Sequence, residues 1–90
     1  MARFIHGRWV VQAYYSRLKQ LRDRLQSSGH TAWAQELLDA ERSAGTSGEA
    51  LSNTGVVLRR VLGEADLSQF HEEAQAIYQE NQAIWKGQRR

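Results

Sequence analysis

The sequence predicts an all-α fold: a single small four-helix bundle, with a long antiparallel pair (first and fourth helices) covered by two shorter helices. Three observations predict it. Apolar residues recur at steps of three and four, which returns them to one face of an α-helix. Helix formers dominate and proline is absent. Glycines punctuate the chain at Ser27-Ser28-Gly29, Gly45-Thr46 and Gly63, dividing it into four.

The first helix is expected from about Arg8 to Ser27, with residues 1–7 as a lead-in because Gly7 disfavours helix before it. Phe4 and Ile5 of the lead-in are expected to tuck against the bundle. Val11, Tyr14, Leu18, Leu21 and Leu25 form the seam of this helix. Gly29 supplies the left-handed residue that ends it.

Thr31 is placed to cap a second helix over about Ala32 to Ala44, with Trp33, Leu37, Leu38 and Ala40 on its apolar face and Gly45 closing it. Thr46 and Glu49 make a capping box for a third helix over Ser47 to Leu62. Its face is Leu51, Gly55, Leu58 and Leu62, supported by Val57 and Val61. Ser52-Asn53-Thr54-Gly55 is poor helix material and leaves open a kink or a break.

Asp66 is placed to cap a fourth helix over about Leu67 to Lys86, with residues 87–90 as a frayed tail. Leu67, Phe70, Ala74, Ile77, Asn81 and Ile84 form its seam. Asn81 is the polar member of that seam. Such a residue sets register or oligomer state, or marks where a seam leaves the core.

Charge pairs the long helices. Arg8 to Leu25 carries five bases and one acid, whereas Glu64 to Glu80 carries five acids and no base. The seams hold such a pair together; exposed ion pairs contribute roughly 0–1 kcal/mol each and mainly select the partner.

The composition, 41% hydrophobic and 24% charged in 90 residues, argues for one globular domain over 1–90. No cysteine is present, so disulfides and thiolate metal sites are excluded. The longest purely apolar run is three residues, too short for a transmembrane span or a secretory core. The acid-free stretch Met1 to Arg22 has the charge of a transit peptide. It holds one serine, however, and its seam runs unbroken into Leu25, so a cytoplasmic protein is the expectation.

No catalytic constellation converges. His71-Glu72 begins like a zinc helix, but Gln75 stands where its second histidine belongs, and Ser68 replaces the acid of a Glu-x-x-His site. His6 and His30 have no metal-ligand spacing. Glu72 and Glu73 diverge by about 100° on a helix and form no acid–base pair. The expectation is a non-enzymatic protein without catalytic, cofactor or metal sites.

Protein interaction is the expected function, with another protein or a second copy as partner. Its candidate contacts are Trp9, Tyr15, Tyr78 and Trp85, since Trp and Tyr anchor interfaces. Trp33 is assigned to the core. The alternative is nucleic-acid binding through Arg17, Lys19, Arg22, Arg24, Arg59 and Arg60. Ser47 to Glu64 resembles a helix-turn-helix, with Gly55 at the turn and Arg59 and Arg60 in the second helix, although Leu51 is larger than the alanine usual there. A membrane-surface role for the basic helix with Trp9, Tyr14 and Tyr15 is less economical than burying its seam in a bundle.

Overall fold

In the computed structural model, the predicted seams become the core. Tyr14, Leu18, Leu21 and Leu25 are each at most 1% exposed. Val11 is half-buried against them. Leu67, Phe70, Ala74, Ile77, Asn81 and Ile84 of the last seam are all buried. The structure describes the backbone of residues 2–88 and the side chains of residues 11–46 and 48–87.

Four helices carry these residues: α1 (Ala2–Ser27), α2 (Thr31–Arg42), α3 (Ser47–Leu62) and α4 (His71–Gln88). A 3₁₀ segment, Ala65–Phe70, leads into α4. Each helix packs on its sequence neighbours, and α4 closes back on α1. Cross-helix contacts give the directions. Arg17 meets Glu80 and Arg24 meets Glu73, so α1 and α4 are antiparallel. Asn53 meets Ala40 while Arg60 meets Glu36, and Gly48 faces Trp85 while Gly55 faces Asn81, so α3 runs opposite to both α2 and α4. Short connections force this alternation.

Several boundaries differ from those expected. α1 begins at Ala2, so the lead-in is helical. A single glycine costs about 1 kcal/mol in a helix, too little by itself to end one that continues on both sides. Phe4, Ile5, His6 and Trp9 lie outside the described side chains. The turn after α1 is as predicted: Gly29 has φ +89°. His30, not Thr31, stands at the N-cap of α2, without a side-chain capping bond. α2 stops at Arg42, where the Ser43 amide donates to the Asp39 carbonyl, so Gly45 does not close it.

The Thr46 cap forms, with the Glu49 amide donating to Thr46 Oγ1 at 3.1 Å. The Glu49 carboxylate reaches back to the Gly45 amide at 2.8 Å. α3 is uninterrupted from Ser47 to Leu62. The helix-turn-helix resemblance therefore fails at its turn. α4 begins after the 3₁₀ segment, and Asp66 lies in that segment's first turn rather than at a cap. The helix continues through Gly87, so the tail is helical to Gln88; Arg89 and Arg90 are outside the described residues.

Candidate functional site

α3 is continuous because tertiary contacts override its weak local propensity. Thr54 is fully buried, and its hydroxyl donates to the Ala50 carbonyl at 2.7 Å. That commits the Thr54 proton, so the Tyr14 hydroxyl, 2.7 Å away, donates to Thr54 Oγ1. Tyr14 in turn accepts from Asn81 Nδ2 at 2.8 Å. Asn81 Nδ2 also donates to the Leu51 carbonyl at 2.8 Å, and Asn81 Oδ1 accepts from Gln82 Nε2 at 2.9 Å. One network thus ties α1 to α3 and α4. Among the described residues no buried side-chain polar atom lacks a partner. Burial pushes the Tyr14 hydroxyl above the usual tyrosine range, outweighing the bonds with Thr54 and Asn81 that pull it down.

Gly55 makes the network possible. A Cβ there would sit 3.0 Å from Asn81 Oδ1. Its missing side chain also opens a groove of about 230 Å³ between α3 and α4. Gly55 and Asn81 floor it, Tyr78 and Trp85 wall it on α4, and Val56 and Arg59 wall it on α3. No acid lines this groove. Among the described residues, Val56 is the one large hydrophobic that is exposed, at 56%. On its other flank Val56 also lines a larger, more open groove of about 440 Å³ between α2 and α3, bordered by Glu36 and Asp39.

The structure therefore brings together two of the predicted interface residues, Tyr78 and Trp85. Both are half-buried, and the Trp85 ring lies against Gly48. Tyr15 is elsewhere: it packs edge-on to Tyr14, with ring centroids 5.0 Å apart. Burial and then the Glu41 carboxylate push its hydroxyl upward. Trp9 lies outside the described side chains. Trp33 is half-buried against the core, with the Arg60 guanidinium 5.1 Å above its ring.

Five of the six bases considered for nucleic acid are held by carboxylates. Arg17 pairs with Glu80, Arg24 with Glu73, and Arg22 with Glu41 at 3.4 Å. Lys19 pairs with Asp23 at 3.0 Å and Arg60 with Glu36 at 2.6 Å. Arg59 alone of the six makes no ion pair with a described residue.

The two described histidines have structural positions. His71 Nε2 lies 3.0 Å from the Val61 carbonyl and 2.9 Å from that of Glu64, tying the end of α3 to the start of α4. His30 stands edge-on to Phe70. Among the described residues no three potential ligands gather as a metal site, and no helix is long and apolar enough to cross a membrane.

Sequence reasoning overlooked Val56 as a surface residue. Its signal was present: Glu49, Ser52, Arg59 and Arg60 surround it at helical spacing, leaving it the lone apolar residue on a polar stripe. Comparison with known proteins finds no matching family model, no similar curated protein and no similar solved structure.

Proposed function

We propose that this protein is a non-enzymatic interaction module that binds another protein chain through the α3–α4 face. The observation that carries this reading is the exposed Val56 beside a groove walled by Tyr78, Trp85 and Arg59. An apolar centre with aromatic and arginine neighbours is the composition of an interface anchor. The remaining large apolar side chains described are buried or half-buried, so no other described surface centres on an exposed one. Nucleic-acid binding has less support, because the acids of α2 and α4 and Asp23 of α1 lie against most of the bases it needs.

A photocrosslinking residue at position 56, in cells expressing the full chain, tests the reading. The expected result is a discrete protein adduct, absent when the crosslinker replaces exposed Gln20 on α1. No adduct at position 56, or equal adducts at both positions, sinks it.

A further inference from the structure

We infer that the occupant of this face is a second copy of the same chain, docked with the two α3 helices antiparallel across a twofold axis at Val56. The inference rests on the interaction reading above and adds the partner.

The exposed stripe of α3 carries its own complement. Glu49, Ser52, Val56 and Arg59 are exposed and spaced three, four and three residues apart. The acid lies in the first turn of the helix and the base in the last. With a rise of about 1.5 Å per residue, Arg59 lies about 4.5 Å beyond Val56, and Glu49 about 10 Å before it. An antiparallel copy centred on Val56 leaves about 6 Å along the axis between Arg59 of one chain and Glu49 of the other, within the reach of an extended arginine. Parallel helices would instead stack arginine on arginine and glutamate on glutamate. Opposed helix dipoles favour the same antiparallel choice.

The groove completes the match. An axis across α3 lays the α4 side of one copy over the α4 side of the other. Trp85 lies beside Gly48, at the level of Glu49, so the incoming guanidinium meets an indole as well as a carboxylate. Glu49 spends Oε1 on the Gly45 amide and keeps Oε2 for this contact. A foreign acidic segment would satisfy Arg59 but set like charge against Glu49. Only a segment with both signs in this order suits the whole stripe, and α3 is one. In an isologous pair each contact is made twice.

The test is sedimentation equilibrium of the full chain from about 1 to 500 µM, a range that spans weak to moderate dimers. The expected result is a monomer–dimer equilibrium that Val56→Glu shifts to monomer. Glu49→Arg and Arg59→Glu should each be monomeric alone, by repulsion of like charges. Mixed in equal amounts they should restore a dimer, because both crossed contacts are then opposite in sign. Ser52→Arg, which leaves the Glu49 cap intact, should also give monomer, and circular dichroism should show unchanged helix content in every variant. Wild type that stays monomeric throughout, or a mixture that stays monomeric, overturns the second-copy assignment. The position-56 adduct separates the two ideas. A mass of twice the chain supports self-association, a different mass keeps the interaction reading while removing the second copy, and no adduct removes both.

Discussion

The two ends of the core are built by different chemistry. Near the α1–α2 and α3–α4 turns it is apolar: Leu25, Val61, Leu67 and Phe70 belong to the core there, with Arg24 over the Phe70 ring and His30 edge-on to it. Toward the α2–α3 turn the centre is the polar network of Tyr14, Thr54 and Asn81. The apolar end gains from area removed from water and is indifferent to small slips of one helix along another. The polar end is satisfied in one register only, since a slip breaks bonds that no water replaces. Stability is concentrated at one end, therefore, and specificity at the other. The specific end borders the α3–α4 groove, so the network that fixes the helices also fixes the shape of the candidate site.

Truncation at the apolar end should give the largest effect. Phe70→Ala removes a fully buried ring and the surface under Arg24 and His30, and is expected to cost about 3–5 kcal/mol in urea unfolding. A cost under about 1 kcal/mol would mean this end is not packed as described.

At the polar end, Asn81→Ala strips one bond from Tyr14 and one from the Leu51 carbonyl, for an expected loss of about 2–3 kcal/mol. Gly55→Ala sharpens the point because its sign should depend on Asn81. In the wild type the new methyl presses on an amide pinned at both hydrogens, and the crowding should exceed the helix-propensity gain by about 1 kcal/mol. In the Asn81→Ala background the crowding is gone, and the same change should stabilise by about 1 kcal/mol. Equal effects in both backgrounds would show that Gly55 is not there to admit Asn81.

Tyr14→Phe should cost about 1–2 kcal/mol by orphaning one Asn81 N–H. It should also alter the alkaline limb. The folded chain holds the Tyr14 proton above the ordinary tyrosine range, while the unfolded chain releases it near pH 10. The unfolded state then binds fewer protons, so wild-type stability falls as pH rises past that point. Without the hydroxyl the fall should be shallower, the remainder coming from Tyr15, whose hydroxyl is pushed the same way. An unchanged slope would remove Tyr14 as its source.

The same contrast explains what was legible in the sequence. Spacing alone located both long seams, because burial follows a helical period that residues i, i+3 and i+4 display locally. Opposite charge on α1 and α4 anticipated Arg17 with Glu80 and Arg24 with Glu73. Asn81 was visible as an anomaly, but its partners were not: Tyr14 is 67 positions away and Leu51 is 30. Without them, Thr54 and Gly55 read as poor helix material that left a kink or break open inside the third helix, since local propensity counts their cost and not the contact they permit. Tyr78 and Trp85 were readable as candidates by residue type. The groove joining them to Val56 and Arg59 depends on how closely α3 approaches α4, which no local pattern encodes.

The smallest effect should come from the surface pairs, and it separates the two devices that align α1 with α4. Arg17 and Glu80 keep 53% and 25% of their side chains in solvent, and Arg24 and Glu73 keep 59% and 24%. A double-mutant cycle on Arg17 and Glu80 should return a coupling of about 0.2–1 kcal/mol. At 1 M salt, where the screening length falls to about 3 Å, that coupling should nearly vanish. The coupling between Tyr14 and Asn81, measured the same way, should persist, because their contact is buried and carries no net charge. If instead salt erased both, the network would be open to solvent and the register of α1 on α4 would rest on charge. If salt erased neither, the Arg17–Glu80 contact would be shielded far more than its exposure allows. Loss of the first coupling with survival of the second would mean that surface charge guides α1 toward α4 and the buried amide decides where it stops.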